Sequence, residues 1–428
     1  CVALALLLAH NLLDSRIGRA IRTLNGARSM AESVGIDTVR LARAVFVLAA
    51  LAAALAGFLF AHFQRFISPT PFSLTASIEY LFMVIVGGAE SFAGALLGAF
   101  LVTVLRDRLN DWIPQLTGST GNYEALAFSL VVILLLQRAP QGLWPMLRSF
   151  TPRGAMRPMP RAAPAATPPV AAVQSGAADA LAVEGVCRNF GGLVANRDVS
   201  FRVGAGEIVA LIGPNGAGKT TLFNVISGAL LPSAGAVHLF GRRLGRLPAR
   251  RIAALGLART FQHARLLPRI SVRDNIAVGA HLAGRAGVLR AMLRLDRAEE
   301  ARLRTLAETE AARVGLADLL DRPAGDLPLG QQRIVEIARA SCLRPRLLLL
   351  DEPAAGLRHQ EKQHLAALLR QLRAGGMAVL LVEHDMDFVM QLADRVVVMD
   401  FGEKIAEGTP ARVRADPAVL EAYLGSAA

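Results

Sequence analysis

Gly213, Pro214, Asn215, Gly216, Ala217, Gly218, Lys219 and Thr220 fit the pattern G-x-x-x-x-G-K-[ST]. Glycines at 213, 216 and 218 let the main chain turn tightly and aim its N–H groups at phosphate oxygens. Lys219 can reach the outer phosphates of a nucleoside triphosphate. The Thr220 hydroxyl, with Thr221 beside it, can hold Mg²⁺. Farther along, Asp351 and Glu352 end an apolar run. Asp351 suits the shell of that Mg²⁺, and Glu352 suits a general base that polarises an attacking water. Gln262 offers an uncharged amide that can sense either the metal or the γ-phosphate. His384, at the end of another apolar run, can hydrogen-bond the γ-phosphate. Together these side chains describe hydrolysis of a phosphoanhydride.

Each group needs an element to position it. Residues 207–212 predict a buried strand entering the glycine-rich loop, and residues 221–229 predict a helix leaving it. That strand–loop–helix context is what the motif requires, and the helix adds its positive dipole end. Residues 346–352 predict a strand that delivers the two carboxylates to the crevice at the strand ends of a doubly wound sheet. The run before His384 predicts another strand. Residues 327–333 open a helix that runs to about Cys342. From residue 181 to 424, apolar runs alternate with amphipathic helices, the pattern of a soluble α/β domain.

The remainder is of a different kind. The 428-residue chain predicts two or three domains; 53% of it is hydrophobic, its mean hydropathy is +0.41, and much of the excess lies before residue 140. The net charge of +13 accompanies only 5% aromatic residues, whereas a nucleic-acid surface would interleave the two. Arginines in membrane-flanking loops and a basic linker explain it more simply, and no nucleic-acid partner is expected. Cys1, Cys187 and Cys342 share no metal-like spacing, so neither zinc nor a disulfide framework is implied.

The chain opens on Cys1, as a processed lipoprotein does. However, residues 2–9 continue as an apolar helix, not a polar tether, so residues 1–13 read as the end of a membrane helix and the chain as lacking upstream helices. Residues 14–43 read as a polar loop whose arginines make it cytoplasmic. Residues 44–63 are long and apolar enough to cross a bilayer. Residues 75–86 and 91–105 predict either two short crossings or one re-entrant hairpin, with residues 106–124 outside. Residues 125–136 cross inward, leaving everything after residue 137 cytoplasmic. Small residues recur along these segments at Gly57, Gly94 and Gly98, and Gly94 and Gly98, four apart, permit close helix packing. Glu79 reads as interfacial or as lining a pathway. Residues 151–180, rich in Pro and Ala, read as an extended linker.

The order of glycine-rich loop, Gln262, residues 327–333, Asp351-Glu352 and His384 resembles the ATP-binding-cassette (ABC) ATPases over residues 181–424. That resemblance implies that Phe190, otherwise a core-edge aromatic, stacks on adenine, that Gln262 is the Q-loop, and that His384 is the switch histidine. It also makes Leu327, Pro328, Leu329, Gly330 and Gln331 the signature that acts across a dimer on the partner's nucleotide, two such domains sandwiching two ATP molecules. The family reads L-S-G-G-Q there. Pro328 offers neither a hydroxyl nor an N–H to phosphate, and Arg358 stands where Asp is common after the carboxylate pair.

A second resemblance covers most of residues 1–143. Ala31-Glu32-Ser33-Val34-Gly35-Ile36, within residues 24–41, looks like the coupling loop of importer permeases. Residues 86–94 (Val-Gly-Gly-Ala-Glu-Ser-Phe-Ala-Gly) and 138–143 (Arg-Ala-Pro-Gln-Gly-Leu) resemble the permease of the branched-chain amino acid importer family, as residues 330–339 and 352–357 resemble its ATPase. The expected fold is an α-helical transmembrane domain, truncated at its N-terminus, over 1–150, a linker over 151–180, and an α/β P-loop NTPase domain of the ABC type over 181–428. The expected function is ATP-driven import of branched-chain or related amino acids across the bacterial inner membrane, with the ATPase domain in the cytoplasm. The implied partners are a second permease, a second ABC ATPase and a periplasmic binding protein. The alternatives are an importer of urea or short amides, an ABC ATPase outside transport, and a weakly hydrolysing structural subunit paired with an active ATPase.

Overall fold

The computed structural model describes residues 1–26, 28–66, 68–69, 72–89, 91–117, 123–150, 179–262 and 264–424. They form two compact units, one from the described residues of Cys1–Leu48 and Ala162–Ala428, the other from those of Ala49–Arg161. The expected linker, apart from residues 179 and 180, lies outside the described residues.

The first segment is helical: α1 (Val2–Leu13), α2 (Arg16–Gly26), α3 (Arg28–Ser33) and α4 (Thr38–Gln64). The reading of residues 14–43 as a polar loop is therefore corrected. Its arginines recur at helical spacing, and its apolar residues find a surface to bury against. Among the described residues α4 alone is long and apolar enough to cross a membrane. Its 27 residues span about 40 Å, against a hydrocarbon core of about 30 Å.

The other unit continues with α5 (Leu74–Gly87), α6 (Phe92–Thr117), α7 (Tyr123–Arg138) and α8 (Leu143–Phe150). α6 runs on past residue 105, so most of the expected outer loop over 106–124 is helix. Polar Arg106, Asp107 and Arg108 are compatible with helix once hydrogen bonds are made within the segment. Gly94 and Gly98 do permit close packing: a Cβ on Gly98 would sit 1.9 Å from the Met83 carbonyl oxygen of α5, and one on Gly94 2.6 Å from that of Gly87. Gly57 has nothing within 4 Å of an added Cβ. Arg106 Nη1 donates to Glu79 Oε2 at 2.6 Å.

The ATPase part holds β1 (Leu181–Phe190), β2 (Leu193–Val203), β3 (Ile208–Ile212), β4 (Ala234–Leu239), β5 (Arg242–Arg243), β6 (Leu257–Arg259), β7 (Leu347–Asp351), β8 (Ala378–Val382), β9 (Arg395–Asp400) and β10 (Glu403–Gly408). Its helices are α9 (Lys219–Ile226), α10 (Ala249–Ala254), α11 (Val272–Gly279), α12 (Val288–Met292), α13 (Arg297–Arg313), α14 (Leu329–Ser341), α15 (His359–Ala374), α16 (Met386–Leu392), α17 (Pro410–Arg414) and α18 (Pro417–Leu424). Six strands pair in the order β10-β9-β3-β8-β7-β6, parallel except for β10. A four-stranded antiparallel sheet, β2-β1-β4-β5, covers one side.

β3, β7 and β8 are buried at every position, which is why they read as unbroken apolar runs, not alternating ones. Their side chains still alternate between layers. Ile208, Ala210 and Ile212 join the core with α11, α13 and α14, whereas Val209 and Leu211 join the core with β1 and α9. At about 1.5–3 kcal/mol per fully buried large aliphatic side chain, this double-sided burial makes the central strands a rigid base for the loops at their ends.

Candidate nucleotide site and coupling surface

β3 leads directly into the glycine-rich loop. Gly213 has φ +148°, and an added Cβ would fall 2.0 Å from the Met399 carbonyl oxygen on neighbouring β9. Gly218, the N-cap of α9, has φ +90°, and its Cβ would fall 2.2 Å from the Ala195 carbonyl oxygen on β2. Both positions thus need glycine for backbone reasons alone. Asn196 Nδ2 donates to the Gly218 carbonyl at 3.1 Å and ties the loop to β2. Lys219 is buried, and its Nζ donates to the carbonyls of Gly213 and Pro214 at 2.7 and 2.8 Å. Burial lowers the pKa of its ammonium, and the Glu352 charge opposes that. Thr220 is exposed at the head of α9.

Asp351 and Glu352 emerge where β7 ends, as the sequence implies. Asp351 Oδ2 accepts from Arg259 Nη2 at 3.2 Å, with both side chains 7% exposed. Burial pushes this carboxyl above its ordinary range and the Arg259 charge pulls it back. Glu352 has φ +48°, a left-handed conformation that costs a non-glycine residue about 1–3 kcal/mol. Its N–H donates to the Val382 carbonyl of β8 at 2.9 Å, which helps fix that conformation. The resulting turn presents the Glu352 carboxylate to two other candidate site residues, which the sequence reading assigns to the metal or the γ-phosphate and not to Glu352. Gln262 Nε2 donates to Oε2 at 2.9 Å, and His384 Nε2 lies 2.9 Å from Oε1. The structure therefore assembles Gln262, Glu352 and His384, which lie far apart in the chain, into one hydrogen-bonded cluster.

Two buried residues that sequence reasoning missed hold this cluster in place. Arg259 Nη1 donates to Asn224 Oδ1 at 2.7 Å and Ser227 Oγ at 2.8 Å, joining α9 to Asp351. Its guanidinium also lies 5.3 Å from the Phe261 ring centroid. Glu383, 2% exposed, accepts from the N–H groups of Ala354 at 2.6 Å and His384 at 3.1 Å. Burial raises its pKa while those hydrogen bonds oppose the rise. A charged residue ending an apolar run was the available signal in both cases.

Phe190 sits at the tip of the β1–β2 hairpin, paired with Leu193, and is 42% exposed. The Arg188 guanidinium lies 4.5 Å from its ring centroid. In the 327–331 segment, Leu327 is buried, Pro328 is the N-cap of α14, and Leu329 is 47% exposed. Pro328 supplies no side-chain cap. Gly330 is buried against Glu361, whose Oε1 would lie 2.4 Å from an added Cβ. Arg358 precedes α15, where its N–H donates to Glu361 Oε2 at 2.8 Å.

The metal-ligand candidates, Thr220, Gln262 and Asp351, offer a hydroxyl, an amide and a carboxylate oxygen, donors that suit Mg²⁺. No group of three or more His, Cys, Asp or Glu able to hold a metal occurs among the described residues.

The segment before α4 packs on this same region. Ala20, Met30, Ala31, Val34, Ile36 and Leu41 form one buried cluster with Leu267 and Val278, against which Phe261 packs. Arg19, 2% exposed, pairs with Glu300 at 2.8 Å and lies 3.6 Å from Asp274. Arg16 donates to the carbonyls of His281 and Ala286 at 2.8 and 2.6 Å. Asp14 accepts from Arg304 at 2.9 Å, and Asp37 lies 3.3 Å from Arg250. Arg28 and Glu32 pair with each other at 3.2 Å, with Arg28 67% exposed. One helical turn separates them, so they meet on one helix face, and Glu32 Oε1 also accepts from Thr38 Oγ1 at 2.8 Å. A cavity of about 260 Å³ lies beneath α3, lined by Ser29, Ser33, Asn224, Arg259, Gln262 and Asp351 among others.

A phosphate loop between a buried strand and a helix, a strand-end carboxylate pair, and the Gln262–Glu352–His384 cluster define an ABC ATPase. The ABC transporter family model matches residues 196–355. The model for the branched-chain amino acid transport system permease component matches residues 1–144, and that for the branched-chain amino acid ATP-binding cassette transporter matches residues 403–428. The high-affinity branched-chain amino acid transport ATP-binding protein LivG of Salmonella typhimurium is 43% identical over 250 residues, covering 58% of this chain and 98% of that protein. BraF of Pseudomonas aeruginosa, with the same description, is 41% identical over 250 residues, again 58% of this chain and 98% of the relative. The crystal structure of the ADP conformation of MJ1267, an ATP-binding cassette of an ABC transporter, superposes with a TM-score of 0.52 at 32% identity, covering 58% of this chain and 99% of that one. The chain belongs to the branched-chain amino acid ABC transporter family, with a permease region and an ATPase joined in one polypeptide.

Proposed function

We propose that this chain is the fused permease–ATPase subunit of an importer that moves branched-chain or related amino acids across the bacterial inner membrane at the expense of ATP. The observation that carries the reading is the seating of residues 14–41 on the Q-loop, beside the Gln262–Glu352–His384 cluster. In this reading residues 1–150 serve as permease and residues 181–428 as ATPase, joined by the linker over 151–180. The other subunits are a second permease, a second ABC ATPase and a periplasmic binding protein.

The proposed roles rest on the family resemblance and on the Gln262–Glu352–His384 cluster. Loop amides from Gly213 to Thr221 and Lys219 bind the phosphates, and Phe190 stacks on adenine. Thr220, Asp351 and Gln262 would hold Mg²⁺ together with the phosphates, and the ion would supply charge neutralisation on the transferred group. Glu352 accepts the proton of the attacking water, while Gln262 and His384 orient its carboxylate. Leu327 to Gln331 face the nucleotide of the partner ATPase. Because Glu352 is held by both neighbours, a shift of the Q-loop alters the base directly, and residues 14–41 bear on the Q-loop.

Uptake of labelled leucine and labelled urea into vesicles carrying the full transporter tests the substrate class. Leucine uptake that needs ATP and is abolished by Glu352→Gln supports the reading. Urea uptake without leucine uptake replaces the substrate, and uptake of neither removes both. A second reading, a weakly hydrolysing subunit beside an active partner ATPase, is favoured by one observation: Pro328 leaves the start of α14 without a hydroxyl.

A further inference from the structure

The Gln262 segment is fastened to the signature helix through its main chain. Three charged residues of α14, Arg333, Glu336 and Arg339, are 6%, 1% and 2% exposed. Arg333 Nη1 donates to the Phe261 carbonyl at 2.8 Å, and Nη2 donates to the Gln262 carbonyl. Glu336 Oε1 accepts from the Phe261 N–H at 3.2 Å. Arg339 Nη1 donates to the Arg265 carbonyl at 2.7 Å. Within the helix, Glu336 accepts from Arg339 Nη2 at 3.2 Å and lies 3.7 Å from Arg333 Nη1.

Burying three charges is costly unless each is paired and hydrogen-bonded. An apolar helix face would hold the loop against α14 equally well, but it would leave the peptide planes free to rotate. A guanidinium fork across two successive carbonyls removes that freedom. The clamped stretch is also the stretch that α3 touches: Arg265 Nη1 donates to Ser29 Oγ at 2.9 Å, and Phe261 packs on the Met30–Ala31 cluster.

We propose that Arg333, Glu336 and Arg339 are positioning residues for Gln262: they lock the Q-loop main chain to α14, so that movement of the docked permease segment turns Gln262 and the signature end of α14 as one body. This rests on the reading of Gln262 as part of the hydrolytic site.

The test uses the full chain with its partner subunits. Arg333→Lys keeps the charge and loses the fork. It lowers kcat by about tenfold or more, since small misplacements of a catalytic group cost that much, and leaves KM for ATP within about twofold. Deuterium exchange rises in the peptide over 259–266 and not over the glycine-rich loop. Glu336→Gln, which keeps an acceptor for the Phe261 N–H, retains more activity than Glu336→Ala. If Arg333→Lys does not assemble, Arg339→Lys is read in the same way. Unchanged kcat and exchange in the lysine variant, or a rise in KM alone, overturns the proposal. Gln262→Ala separates the two failures. If it lowers kcat and the lysine variant does not, the clamp alone is wrong; if it leaves kcat intact, the role of Gln262 falls and the clamp with it.

Discussion

In the proposed reading Glu352 concentrates the chemistry in one residue: strained backbone, two hydrogen-bonded partners, and a place at the end of a fully buried strand. Glu352→Gln keeps the shape and the Gln262 contact but cannot take a proton. ATP binding should persist while turnover falls by about 10²–10⁴-fold, the usual worth of a general base; single-turnover hydrolysis and nucleotide binding measured on the same sample check this. Normal turnover would remove Glu352 as the base. Pro328→Ser restores a hydroxyl at the N-cap of α14 and should raise turnover if Pro328 limits this subunit's signature. Steady-state ATPase rates decide, and no change would count against the weak-signature reading. Asp351 and Glu352 were legible because two carboxylates after four leucines have few other uses. Arg259 and Glu383 were not, because their role is to hold groups that only the fold brings near.

The segment from α2 to the start of α4 carries the charge reversal most worth making. Arg19→Glu faces Glu300 and Asp274 in a buried setting, where loss of a paired charge costs about 3–5 kcal/mol. It should uncouple ATPase from transport, read as the ratio of substrate moved to ATP hydrolysed. Arg28→Glu alters an exposed i,i+4 pair worth about 0.5 kcal/mol and should leave the ratio near normal. The reverse ranking would sink the docking assignment. In the other unit, Gly98→Leu drives a side chain into the Met83 carbonyl of α5. It should destabilise the α5–α6 pair by about 3 kcal/mol, visible as lost thermal stability of the purified protein. Gly57→Leu, with open space around it, should not.

For the molecule as a whole, the proposed reading makes the ATPase site half of a site, with Leu327 to Gln331, at the start of α14, facing the nucleotide of a second ATPase domain. Nucleotide should therefore draw two ATPase domains together. In the Glu352→Gln chain, ATP with Mg²⁺ should raise the associated fraction seen by light scattering, and Lys219→Ala should abolish the rise. An unchanged mass in both would remove the shared-site reading. Compact units cut across the permease region matched over residues 1–144: residues 1–48 pack with the ATPase residues, because the polar stretch read as a loop buries an apolar face and a guanidinium there.

The amino-acid order alone determined the chemistry. A glycine-rich loop, strand-end carboxylates, unbroken apolar runs and amphipathic helices are local patterns, each fixed by what its own residues can bond to or bury. It also carried the resemblance from which the family followed. What the tertiary structure alone decided is which distant groups meet. Glu352 between Gln262 and His384, Arg259 on Asp351, the clamp from α14 to the Q-loop, and Arg19 beneath the ATPase surface all join residues separated by tens to hundreds of positions. A sequence can state that a charge exists. Whether burial and partners make it a base, a strut or an anchor depends on distances that arise only when the sheet has closed.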